Sequence, residues 1–236
     1  MRVEILALAM VATVSSSIEH AHAQTVFDSR NNWSITLPDG WEVDKGELVT
    51  QINDANRGMP AALGDLTVVA VIVPKVRDGR FALVHYRPSI RPGATLSDVE
   101  RSFVVAAQLD VNRVRRTMDI GVDLQARFDR ARRRGILTGV AQSPESGELG
   151  LYSVTSFGRS LTVVINCYAP REGFESAKPT LMAIADSFEF TPGFEYEYST
   201  IGRLPPWAGH AITGVLCLGV AIGVVLLKRK LTAASR

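Results

Sequence analysis

The sequence predicts an α+β domain, an antiparallel sheet with helices packed against it, followed by one C-terminal transmembrane helix. Three observations lead there. Apolar residues recur at period two in several stretches between positions 32 and 168, separated by Gly- and Pro-bearing turns, the pattern of half-buried strands joined by hairpins. Two segments near Val99 and Leu181 space their apolar residues three and four apart, which collects them on one side of a helix. Finally, residues 208–227 hold no Asp, Glu, Lys or Arg over 20 positions and run directly into Lys228, Arg229 and Lys230. Twenty helical residues span about 30 Å, the thickness of a bilayer's hydrocarbon core.

Residues 1–23 have the form of a secretory signal peptide: Arg2, an apolar run over 5–14, then Ala21-His22-Ala23 as a cleavage site before Gln24. His20 and His22 leave with that peptide. An exported domain is expected over 24–190. In it, Trp33, Ile35 and Leu37 alternate with Ser34 and Thr36 as a strand, and Pro38-Asp39-Gly40 turns the chain into Trp41. Residues 48–52 suggest a second short strand and residues 53–64 a loop. Residues 66–73 are nearly all β-branched or apolar and read as a strand that ends at Pro74, which cannot donate to a ladder. Asp78-Gly79 then turns into a strand over 81–86.

Ser97-Asp98-Val99-Glu100 reads as a capping box, and Val99, Phe103, Ala106 and Ala107 form the apolar stripe of a helix reaching about Leu109. Residues 122–134 fit two patterns. Val122, Leu124, Ala126 and Phe128 alternate with polar residues as a strand would, while Leu124, Phe128 and Ala131 also line a helix with Asp123–Arg127 and Asp129–Arg133 paired four apart. The unbroken alternation favours the strand. Residues 135–142 continue as another strand, and 149–157 with 161–168 form a hairpin about Gly158-Arg159. Cys167 shares a face with Leu161, Val163 and Ile165, which predicts a buried, inert thiol. A closing helix carries Leu181, Ile184, Ala185 and Phe188 on one side. Residues 191–207 read as a juxtamembrane linker ending at Trp207, where aromatic belts occur.

The succession Trp33-Ser-Ile-Thr-Leu-Pro-Asp-Gly-Trp41, a hairpin, a capped helix, a long hairpin and Ala183-Ile-Ala-Asp-Ser-Phe188-Glu-Phe190 resembles the PsbP-like domains. That family is related to the extrinsic P protein of photosystem II and includes many bacterial exported proteins. The resemblance covers roughly residues 27–190 and implies an antiparallel sheet with helices packed on it. It carries over no catalytic residue, and the C-terminal span departs from the family's usual pattern.

Charge sharpens the topology. Residues 24–227 carry 21 basic against 22 acidic side chains, whereas the tail, 228–236, carries four basic and no acidic ones. By the positive-inside rule the tail is cytoplasmic and the domain extracytoplasmic, periplasmic if the source is bacterial, in a single-pass cell-membrane protein. A near-neutral domain gives no argument for nucleic-acid binding. Two cysteines, one inside the span, are too few for a disulfide framework.

The chain has no Gly-x-Ser-x-Gly elbow, phosphate loop, dinucleotide fingerprint or zinc spacing, so no cofactor, metal or catalytic residue is assigned. His85 is the domain's one histidine and reads as a satisfied sheet residue. The expectation is therefore a non-catalytic, membrane-anchored binding or scaffolding module; the alternative is a membrane-tethered hydrolase whose carboxylate site the fold assembles. Eight arginines fall at 113, 115, 116, 127, 130, 132, 133 and 134. Arg127, Arg130, Arg132, Arg133 and Arg134 are the candidate site for an anionic lipid or an acidic protein partner, because guanidinium forks match phosphate and carboxylate. The competing reading is a solvated face balanced by Asp110, Asp119, Asp123 and Asp129. Gly219 and Gly223, one turn apart in the span, are candidates for close helix association and a homodimer.

Overall fold

The computed structural model describes residues 23–57, 67–118, 121–143 and 147–200. The expected signal peptide, the transmembrane helix with Gly219 and Gly223, and the cytoplasmic tail lie outside the described residues. Among the described residues no helix is long and apolar enough to cross a membrane.

Among the described residues, ten strands and three helices follow in the order β1 (Gln24–Asp28), β2 (Trp33–Leu37), β3 (Trp41–Asp44), α1 (Glu47–Arg57), β4 (Thr67–Pro74), β5 (Phe81–Pro88), α2 (Leu96–Met118), β6 (Gly121–Asp129), β7 (Arg134–Ser143), β8 (Gly147–Phe157), β9 (Leu161–Pro170), α3 (Arg171–Asp186) and β10 (Glu189–Phe190). Seven strands form one antiparallel sheet in the order β3-β4-β5-β9-β8-β7-β6, and β1-β2-β10 form a small second sheet. The fold is thus α+β and antiparallel, as the period-two pattern predicts.

Both faces of the large sheet are buried. On one, α1 packs along β4 and α2 along β6, with Ile52, Val99, Phe103 and Val111 meeting Val68, Leu83, Leu137 and Leu151. On the other, α3 lies across β8 and β9, and the small sheet adds Trp33, Ile35 and Leu37 to Val84, Val154 and Ile165. Two glycines admit the helices closely. A Cβ on Gly135 would run into the Phe103 ring of α2, and one on Gly150 into the Phe174 ring of α3, so these positions exclude any side chain.

Four local expectations need correction. Residues 48–52 are not a strand but lie in the first half of α1, and the helix takes in Asn53 and its neighbours as far as Arg57, inside the expected loop. Leu48, Val49 and Ile52 sit one and four apart, a helical spacing; Ile52 is buried, and Asn53 bonds both the N–H and C=O of Val68 at 2.9 and 2.8 Å, docking the helix on β4. The capping box of α2 is formed two residues earlier than expected. Thr95 Oγ1 accepts from Asp98 N–H at 3.1 Å, and the Asp98 carboxylate accepts from Thr95 N–H at 3.3 Å, so Thr95 takes the N-cap and Asp98 the third helical position. That helix then runs nine residues past Leu109, to Met118.

The fourth concerns the linker. Residues 191–199 are packed on the domain: Tyr196 is buried, its hydroxyl donating to Arg91 O at 2.6 Å and accepting from Ala94 N–H at 3.0 Å, and Ser199 N–H donates to Ala94 O at 2.8 Å. The folded body therefore extends to Ser199.

Candidate functional site

The alternation in residues 122–134 resolves into strand β6 and the first residue of β7, joined by a four-residue turn, 130–133. Pairing of Asp129 with Arg134 closes the hairpin, Asp129 Oδ1 accepts from Arg132 N–H at 3.1 Å, and Arg133 takes a positive φ of 52°. A left-handed residue at the end of a tight turn reverses the chain within few residues. The consequence is that Arg130, Arg132 and Arg133 project together from one end of the sheet.

Each candidate arginine meets a different environment. Arg127 lies exposed on β6, on the same face as Asp123 and Asp129. Arg130 pairs with Glu100 of α2, its Nε donating at 2.8 Å. Arg132 and Arg134 both hold the Asp186 carboxylate at the end of α3, at 3.0 and 2.7 Å. Arg134 is the outlier, since it is 5% exposed and belongs to the core rather than the surface. Arg133 lies 5.8 Å over the Tyr198 ring, a cation–π contact, and its carbonyl accepts the Tyr198 hydroxyl at 3.1 Å. The turn therefore combines exposed guanidinium heads with carboxylates brought in by α2 and α3, Glu100 and Asp186.

Asp186 anchors this end. Besides the two arginines it accepts the Tyr152 hydroxyl at 3.1 Å. Burial, and then the negative charge of Asp186, push the Tyr152 hydroxyl up to about 12, so it stays a donor at any physiological pH. Sequence reasoning missed Asp186 because it is some fifty residues from its arginines; only its place at the end of an amphipathic helix, beside a strand end, could have pointed to it.

An open groove of about 780 Å³ lies between the turn and residues 192–198. Arg132, Arg133 and Arg159 reach it from the strand ends, opposite Glu195 and Glu197, while Phe190 and Tyr196 supply apolar walls. Arg159 pairs with Glu197 and Glu195 accepts from Gly193 N–H at 2.8 Å. Mixed charges over aromatic walls suit reversible binding, since exposed pairs contribute little and exchange partners readily.

The two side chains best suited to covalent or acid–base chemistry lie elsewhere. Cys167 is fully buried and its thiol is pushed far up by burial, in agreement with the inert thiol expected from its strand face. His85 is fully buried as well, but it is not a satisfied sheet residue: neither ring nitrogen has a hydrogen-bond partner among the described residues. Burial, helped by the nearby Arg87 charge, holds its pKa down to about 3.

No family model and no curated protein matches the sequence. Among solved structures, the chain is similar in fold to the solution structure of cyanobacterial PsbP (CyanoP) from Synechocystis sp. PCC 6803, with a TM-score of 0.48 and 14% identity, over 74% of this chain and 95% of that one.

Proposed function

We propose that this chain is a membrane-tethered, extracytoplasmic binding module whose arginine turn lies against anionic lipid headgroups. One observation carries the reading. Tyr198 and Ser199, next to the end of the described residues, lie at the end of the domain where Arg130, Arg132 and Arg133 project, with Tyr198 directly under Arg133. Only eight residues, 200–207, separate Ser199 from the apolar stretch that begins at Ala208. Fully extended they reach roughly 30 Å, so a bilayer holding that stretch would lie within reach of the arginine turn.

The chemistry agrees with weak, electrostatic association. Exposed arginines engaged by a single carboxylate keep several N–H donors free, and phosphate oxygens compete well for them. A binding role also agrees with the surroundings of Asp186, whose oxygens are occupied by two guanidiniums and a hydroxyl within the domain itself.

The test is co-sedimentation of the folded domain, residues 24–199, with vesicles of neutral lipid and of neutral lipid doped with anionic lipid. Retention by the anionic vesicles should fall with salt over the range where the Debye length shrinks from about 30 to 10 Å. Replacing Arg130, Arg132 and Arg133 together by Ser should abolish it. Equal retention by both vesicle types, or full retention by the triple variant, would sink the proposal, and retention only by an acidic protein would move the site from lipid to protein.

A further inference from the structure

Strand β6 closes one side of the seven-stranded sheet, and among the described residues no strand pairs with its outer edge. Such an edge presents a row of N–H and C=O groups that another chain can join. The other sheet edges are short: β3 has four residues, β1 five and β10 two, against nine in β6. Nor does β6 carry the usual guards of an edge. It holds no Pro or Lys, and its pairing with β7 runs unbroken from Gly121 to Asp129 without a bulge.

The side chains of residues 123–127 alternate between the two faces of the sheet. Leu124 and Ala126 belong to the face under α2 and stay only partly buried, although that helix packs on this strand. Asp123, Gln125 and Arg127 belong to the other face and are exposed. Their charges are not answered across the sheet, because the residues opposite Asp123 and Arg127 on β7 are Val140 and Ile136. Nor can the two pair with each other, since four residues along a strand span about 13 Å.

We propose that β6 pairs antiparallel with β6 of a second copy of this chain, about a two-fold axis at Gln125. The order of charges selects both the partner and the register. In that register Asp123 of each copy stands opposite Arg127 of the other, and on the α2 face Leu124 of each stands opposite Ala126 of the other. Opposite charges placed directly across an antiparallel pair stabilise it, and like charges there destabilise it. Neighbouring registers that keep the faces matched are worse. An axis at Ala126 sets Asp123 against Asp129, one at Leu124 sets Arg127 against Gly121, and one at Asp123 or Arg127 sets that charge against itself. The same patch serves on both copies, as a two-fold interface requires.

The contact is one strand wide, so the association is weak and reversible. It does not rest on the lipid contact of the arginine turn, whose residues 130–133 follow the paired stretch.

The experiment uses the full chain carrying Cys217→Ser, which leaves the buried Cys167 as its native thiol. The protein is oxidised in the cells that express it, and crosslinked dimer is read on non-reducing gels. Gln125→Cys should crosslink, since directly opposed residues hold their Cβ atoms about 4.5–5.5 Å apart. Asp123→Cys should not, because its own counterpart lies about 13 Å away along the strands, but chains with Asp123→Cys mixed with chains bearing Arg127→Cys should. Added to Gln125→Cys, Asp123→Arg alone or Arg127→Asp alone should cut crosslinking about fivefold or more by setting like charges face to face. The two swaps together should restore it, which a misfolded variant would not do. No crosslinked dimer, equal crosslinking from Asp123→Cys and Gln125→Cys, capture of a different protein by Gln125→Cys, or charge swaps without effect would overturn the proposal.

Discussion

Tyr198 lies beneath Arg133, its ring centroid 5.8 Å from the guanidinium carbon and its hydroxyl on the Arg133 carbonyl. This contact ties the end of the folded body to the β6–β7 turn. Its neighbour Tyr196 is 5% exposed and stacks edge-on against Tyr198 at 5.0 Å. A domain ended at Phe190 therefore loses a buried aromatic residue that caps Ile90 and Ala94. Residues 24–190 should unfold at lower urea than residues 24–199, by about 3 kcal/mol or more in stability, the usual cost of emptying a buried aromatic site. Equal midpoints would show that the segment adds nothing to the fold.

Arg132 and Arg134 share Asp186, yet their replacements should differ in cost. Arg132 is 56% exposed at its side chain and Arg134 only 6%. Arg132→Ser should cost under about 1 kcal/mol, as exposed pairs do. Arg134→Ser strips the buried partner from Asp186 and should cost on the order of 3 kcal/mol or more. Chemical denaturation of the two single variants checks the order. This is why Arg134 is left intact in the lipid-binding test.

His85 sets a pH dependence whose direction is fixed. Its pKa is about 3 folded and near 6.5 unfolded, so the unfolded chain binds the extra proton between those values. The stability contributed by the neutral ring is complete above about pH 6.5 and is lost as the pH falls toward 3, with a slope approaching about 1.4 kcal/mol per unit. Between pH 6.5 and 5, above most carboxylate titrations, wild type should lose stability and His85→Gln should lose less. Parallel curves for the two proteins would remove His85 as the cause.

The topology has a direct test. With an impermeant thiol reagent on intact cells, a cysteine at Ser146 should label and one at Ser235 should not, since the tail is expected inside. Cys167 is sealed in the core and gives no background while the domain is folded. Labelling at Ser235 from outside would reverse the orientation.

Much of the fold is a local property and was readable as such. The alternation at Trp33-Ile35-Leu37, the hairpin about Gly158-Arg159 and the stripe of Leu181, Ile184 and Ala185 each depend on residues a few positions apart, and each appears in the structure where the pattern puts it. Residues 48–52 depart from the strand their composition suggests for the converse reason: five residues hold too little periodicity, and a dock onto β4 through Ile52 and Asn53 decides for a helix. The capping box slipped to Thr95 because Thr95-x-x-Asp98 and Ser97-x-x-Glu100 offer the same chemistry two residues apart, and only the bonds formed tell them apart.

The sequence by itself determined the α+β class, the antiparallel hairpins, the burial of Cys167 and the gathering of arginines into one segment, because these follow from spacing along the chain. Tertiary structure alone decided that Asp186 anchors Arg132 and Arg134, that Tyr196 and Tyr198 bring the departing chain beside the arginine turn, and that β6 stands at the edge of the large sheet. These relationships join residues up to about a hundred positions apart. They are set by which strands pair and in what register, and that choice is made by the packing of the whole sheet between its helices.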